Sequence, residues 1–167
     1  LMMFPGTALE TIYATVTNVT NQLVDDGFTA DLGFANGVHM IVEVGTSNFI
    51  NLPRWYVLGR DGTAMIKDWG ENLKIVRACG TDEEDVVPVR TAAGLTKTMA
   101  PRRDDSIFTE ERPEEKSDIC DFYRNVMAVL EGREESLIKL EEVARVMRVM
   151  EAIFESSEKK QVVQFET

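Results

Sequence analysis

From Leu9 to about Ala78, apolar and polar residues alternate with a period of two, and turn residues interrupt the alternation at short intervals. Strands bury alternate side chains, so this pattern predicts a meander of half-buried antiparallel strands, five or six in number. In Glu10–Asn18, Ile12, Ala14 and Val16 fall on one face, opposite Thr11, Tyr13, Thr15 and Thr17. In Phe28–Phe34, Phe28, Ala30, Leu32 and Phe34 oppose Thr29 and Asp31. Asn36-Gly37 is a hairpin signal, since both residues tolerate the positive φ of a type I′ turn. The strand that follows sorts Val38, Met40, Val42 and Val44 from His39, Ile41 and Glu43. A second turn at Asp61-Gly62 joins Pro53–Gly59 to Thr63–Trp69, and Glu71–Ala78 supplies a further strand. Three successive strands therefore agree on one apolar face and one semi-polar face, a sheet to be covered by helices on one side.

Beyond Gly80 the character changes. An acidic run, Asp82–Asp85, is followed by possible short strands at Val86–Val89 and Leu95–Met99, and the polar stretch Pro101–Glu115 reads as a solvated loop, with a functional lid as the alternative. Two helices are predicted. In Glu114–Leu130, the residues Ile119, Phe122, Tyr123, Val126, Met127 and Leu130 form one apolar stripe, ended by Gly132 as a cap. In Leu140–Ser157, Leu140, Val143, Ala144, Met147, Met150, Ile153 and Phe154 do the same, widened by Val146 and Val149, so that a well-buried helix is expected. Val162–Phe165 reads as a closing strand. The methionines on these stripes, and Met40 on the strand, are expected to fill the core.

Composition narrows the function classes. The 167 residues suit one domain, taken here as residues 1–167, and 29 Asp plus Glu against 18 Lys plus Arg leave a net charge of -11. Such a charge repels phosphate backbones and anionic headgroups, so neither nucleic acid nor membrane is an expected partner. Cys79 and Cys120 read as reduced packing residues of a cytoplasmic protein. Leu1–Phe4, stopped by Pro5-Gly6, reads as the tail of a helix whose start is missing.

The chemistry-bearing motifs are absent. There is no GxGxxG, no GxxxxGK[ST], no HExxH and no Cys/His pair at zinc-ligand spacing. His39 is the single histidine, expected as a hydrogen-bonded or interfacial residue in mid-strand. No catalytic, cofactor-binding or metal-binding residue is assigned. The candidate interface or cleft residues are Tyr13, Thr15, Asp31, His39 and Glu43 on the semi-polar face, with Arg54, which shares a strand face with Tyr56 and could line a polar cleft.

Ile12-Tyr13-Ala14, Phe34-Ala35-Asn36-Gly37, the run Pro53–Ala64, Asp121–Val126, and Val146–Ser157 followed by Val162-Val163 stand in an order and spacing that carry a resemblance. Together they resemble the C-terminal domain of the glucose-fructose oxidoreductase, inositol dehydrogenase and MocA (Gfo/Idh/MocA) family of NAD(P)-dependent oxidoreductases. The resemblance implies an α+β fold, an open and predominantly antiparallel sheet with helices on one face, like dihydrodipicolinate reductase. It also implies a sugar, cyclitol or related polyol as substrate, and a homodimer or higher homo-oligomer formed through the open sheet face. The family's N-terminal Rossmann domain and its catalytic Asp and His motif have no counterpart here. NAD or NADP is therefore expected in the full-length protein and not on this chain, which alone should be inactive. The alternative is a stand-alone, non-catalytic homodimerisation module, because fold does not fix function.

Overall fold

The computed structural model describes residues 6–79, 86–99 and 106–165. They form ten strands and two helices, in the order β1 (Leu9–Thr17), β2 (Gly27–Phe34), β3 (His39–Gly45), β4 (Trp55–Leu58), β5 (Gly62–Ile66), β6 (Leu73–Ala78), β7 (Val86–Thr91), β8 (Gly94–Met99), β9 (Ile107–Arg112), α1 (Ile119–Leu130), α2 (Leu140–Lys159) and β10 (Val163–Gln164). The class is α+β and every strand pairing is antiparallel. The strands divide among a sheet ordered β10-β1-β2-β3, a sheet ordered β4-β5-β6-β9, and the hairpin β7-β8. Two compact units result, residues 1–49 with 118–167, and residues 50–117.

The first unit follows the alternation. Leu9, Ile12, Ala14, Ala30, Leu32 and Phe34 are buried together with Val149, Ala152, Ile153 and Phe165, and Val16, Phe28, Val38, Met40 and Val42 pack around them. Helix α2 lies on this apolar face, its small residues Ala152 and Ser156 allowing close approach to β1. The Ser156 hydroxyl accepts from the Ala14 N–H at 2.9 Å, and the Ser157 hydroxyl from the Val16 N–H at 2.9 Å. Strand β10 pairs with β1 only at Thr11 and Ile12, so these serines satisfy the edge where β10 stops.

The hairpin at Asn36-Gly37 is built differently from the type I′ turn expected. Only Gly37 has positive φ, +80°; the Gly37 N–H donates to the Phe34 carbonyl and the Phe34 N–H to the Val38 carbonyl. Ala35, Asn36 and Gly37 thus make a three-residue loop with glycine at the left-handed position. The second turn is centred one residue early, on Arg60-Asp61, between Gly59 and Gly62. Gly62 is needed for space, because a Cβ there would stand 2.6 Å from the Val76 carbonyl oxygen.

The helices require corrections. Residues 113–118 are not helical, and α1 starts at Ile119 because Asp118 caps it, its carboxylate accepting from the Cys120 N–H at 2.9 Å. At the other end Gly132, with φ +72°, completes a Schellman motif, with Arg133 N–H to Ala128 carbonyl and Gly132 N–H to Val129 carbonyl. The α1 stripe expected in the core is exposed: Ile119, Phe122, Tyr123, Val126, Met127 and Leu130 all face solvent, and Asn125 and Ala128 are the buried residues. In α2 the buried stripe is Val149, Ala152, Ile153 and Ser156, leaving Leu140, Val143, Met147, Met150 and Phe154 on an exposed second stripe. Met127, Met147 and Met150 therefore do not fill the core, while Met40 packs against it. Cys79 and Cys120 are free, but exposed and not packing residues.

In the second unit part of the supposed loop is a strand. Residues 107–112 form β9 because their acids meet the bases of β6: Lys74 stands opposite Glu111, and Arg77 reaches Glu110 at 3.9 Å. Strands β7 and β8 lie where short strands were expected. The readings of Leu1–Phe4, Asp82–Asp85 and residues 101–105 lie outside the described residues.

Candidate functional site

The open face of the β1-β2-β3 sheet gathers five of the six residues singled out from the sequence. Register places them in three rows: Thr11, Gly33 and His39; Tyr13, Asp31 and Ile41; and Thr15, Thr29 and Glu43. The burial of Ile12, Ala14, Ala30 and Leu32 on the opposite face, under α2, turns these side chains outward. Tyr13 is half exposed and Ile41 is 72% exposed, so the middle row presents two large apolar groups flanking a carboxylate. His39 Nδ1 lies 2.9 Å from Asp31 Oδ1, linking the first two rows diagonally. Gly33 leaves room there, since a Cβ at that position would collide with the Thr11 hydroxyl. The result is a shallow patch with one cationisable group, two carboxylates and an apolar centre.

Arg54 belongs to the second unit. It precedes β4, its N–H donates to the Lys67 carbonyl at 3.2 Å, and its guanidinium lies over the Trp69 ring. A shallow depression in this unit, lined by Met65, Lys67, Glu71, Asn72, Lys74 and Glu111, includes neither Arg54 nor Tyr56.

Sequence reading missed two polar arrangements. Asp26 organises the β1–β2 loop: its carboxylate accepts from the Val19 and Thr20 N–H groups and from the Thr20 hydroxyl, while Thr46 donates to its carbonyl. The backbone N–H of Thr20, followed by that of Val19, holds this carboxyl below its usual value. Asn125 fixes the α1–α2 connection, donating to Glu134 Oε2 and the Glu135 carbonyl and accepting from the Leu137 N–H, each at 3.0 Å. The open depression of about 630 Å³ beside it is lined by Cys120, Asp121, Arg124, Asn125, Arg133 and Leu137. Its cations are already paired, Arg124 with Asp118 and Asp121, and Arg133 with Glu131. Asp26 follows Asp25 in a loop, and no sequence pattern tells the two apart, whereas an asparagine on the polar side of an apolar stripe could have been noticed.

Among the described residues, neither helix N-terminus fits the pyrophosphate of a dinucleotide. A pyrophosphate needs free N–H groups at a helix N-terminus after a glycine-rich turn. At α1 the Asp118 carboxylate occupies that position, and α2 opens with Glu141 and Glu142. Among the described residues no cluster of three or more His, Cys, Asp or Glu could hold a metal ion, and no helix is long and apolar enough to cross a membrane.

Comparison with known proteins gives a consistent outcome. The family described as "Oxidoreductase family, C-terminal alpha/beta domain" of the Gfo/Idh/MocA type matches residues 6–165. A search of curated proteins gives no match. Among solved structures, an NAD-binding protein from Listeria innocua is 36% identical with a TM-score of 0.80, the match covering 96% of this chain and 46% of that one. An oxidoreductase from Bacillus subtilis is 19% identical with a TM-score of 0.72, covering 95% and 46%. The aldose-aldose oxidoreductase from Caulobacter crescentus, complexed with glycerol, shares the fold at 16% identity and a TM-score of 0.60, covering 96% and 42%. The chain thus spans less than half the length of these solved relatives. With nearly its whole length matched, the chain belongs to the Gfo/Idh/MocA oxidoreductase family and forms its C-terminal α/β domain.

Proposed function

We propose that this chain is the substrate-side and oligomerisation domain of a cytoplasmic NAD(P)-dependent oxidoreductase acting on a sugar, cyclitol or related polyol. The family match over residues 6–165 carries this reading. The relatives' greater length supports placing the dinucleotide site on a preceding Rossmann domain, as do the Asp118 cap of α1 and the acidic first turn of α2. In such an enzyme the cofactor supplies the hydride, and the protein orients the substrate and excludes competing reactions. This domain alone is inactive. The polyol class draws support from the fold shared with an aldose-aldose oxidoreductase complexed with glycerol.

The second part of the proposal is a homodimer through the open face of β1-β2-β3. Its support is the three-row patch: apolar Tyr13 and Ile41 at the centre, ringed by threonines, with one basic and two acidic groups that can pair across a two-fold axis.

Both parts have direct tests. The intact polypeptide isolated from its source cells should have a mass near twice 18.8 kDa and reduce NAD+ or NADP+ in the presence of a polyol. The chain alone should show no saturable quenching of Trp55 or Trp69 fluorescence by NADH; saturable quenching would place cofactor binding on this domain. Sedimentation should find a dimer that Thr15→Asp with Ile41→Asp converts to monomer, and a monomeric wild type or an unaffected variant overturns the interface.

A further inference from the structure

We infer that the His39–Asp31 pair makes self-association through the open sheet face pH-dependent, tightening as the pH falls from 8 to 6. This inference rests on the homodimer reading and adds its regulation. His39 is the single histidine in the chain, so it is the one side chain whose ordinary titration falls in the middle of that window. It also stands on the patch itself, 2.9 Å from Asp31 and on the same strand face as Glu43.

The sign follows from the charges facing the imidazole. From β2 it meets Asp31; Glu43 stands on the same face of its own strand, about 13 Å further along, and β1 contributes Thr11 and Tyr13. An isologous interface brings the same groups together twice. With both imidazoles neutral, four carboxylates are drawn together out of water; with both protonated, two of those charges are compensated. Opposite charges attract more strongly where water is excluded, so the protonated form associates better. By linkage, association favours proton uptake by the imidazole. Proton uptake by both imidazoles of a dimer tightens it several-fold across the window.

Sedimentation equilibrium of the wild type and His39→Gln at pH 8.0 and 6.0 tests this, together with NMR titration of the one imidazole at low and high protein concentration. The expected result is a dissociation constant several-fold lower at pH 6.0 for the wild type. His39→Gln should dimerise with little change between the two pH values, and the wild-type imidazole should titrate at higher pH when concentrated. A wild-type dimer of equal strength at both pH values, or a His39→Gln variant that keeps the full dependence, overturns the inference and leaves the homodimer standing. A monomer at every pH overturns both.

Discussion

The buried hydroxyl of Ser156 accepts the backbone N–H of Ala14 at 2.9 Å and donates to the Gln161 carbonyl at 2.7 Å. One side chain thereby joins the end of α2 to the first strand and to the turn that leads into β10. Helix α2 leaves through Lys160, whose φ of +54° is the one positive value outside glycine among the described residues. The hydroxyl thus holds a backbone reversal next to a sheet edge.

Ser156→Ala removes both bonds and leaves the Ala14 N–H buried without a partner. Desolvation of such a group costs about 1–3 kcal/mol. Urea unfolding should show that loss for Ser156→Ala and a smaller one for Ser157→Ala, whose bond to Val16 is only partly buried. Equal losses would mean that burial does not govern the two bonds.

Gly37 and Gly62 both precede or begin a strand, but for different reasons. Gly37 has positive φ and open space where a Cβ would stand, whereas Gly62 has ordinary φ and a carbonyl oxygen 2.6 Å from that point. Gly37→Asn should therefore be nearly neutral, because asparagine visits the left-handed region, and Gly37→Ala should cost about 1 kcal/mol. Gly62→Ala and Gly62→Asn should both cost about 1–3 kcal/mol, since the backbone of β6 must move. Thermal unfolding of the four variants separates conformational strain from crowding.

Two carboxylates should contribute to stability in acid. Hydrogen bonds from the Thr20 and Val19 backbones lower the Asp26 value, and the Cys120 backbone N–H, then the Cys120 side chain and Arg124, lower that of Asp118. Groups depressed in the folded state stabilise it above their unfolded value, about 3.9 for aspartate, and that contribution is lost as the pH falls through the folded value. Asp26→Asn and Asp118→Asn should each lose stability at pH 6 and show a shallower decline below pH 4 than the wild type. Parallel declines would show that neither carboxylate contributes to acid unfolding.

The first three strands were legible because period two leaves no choice of face once one side is apolar: Ile12, Ala14, Ala30 and Leu32 could go only inward. The five patch residues followed automatically, as the complement. The helices were legible as helices, but not in orientation. Around α2, Val143, Val146, Met147, Val149, Met150, Ile153 and Phe154 cover too much of the circumference for periodicity to select a stripe. What selects it is size, since Ala152 and Ser156 let the helix approach β1, and this appears only when the serine finds its backbone partners. Strand β9 was hidden for a related reason: its glutamates resemble a solvated loop until Lys74 stands opposite Glu111 and Arg77 reaches Glu110.

Two neighbouring positions on α2 give the decisive check on that orientation. Ile153 is 7% exposed against the sheet, and Met150, one turn earlier, is 47% exposed on the second apolar stripe. Glutamate is a good helix former, so either substitution keeps the helix, and the difference reports burial alone. Ile153→Glu places an unpaired carboxylate in the cluster of Ile12, Ala30 and Leu32 and should cost about 4 kcal/mol or more, enough to unfold a marginally stable domain. Met150→Glu should change stability by less than about 1 kcal/mol while reducing the binding of a dye for exposed apolar surface. If Met150→Glu instead unfolds the chain and Ile153→Glu does not, α2 presents its other stripe to the sheet.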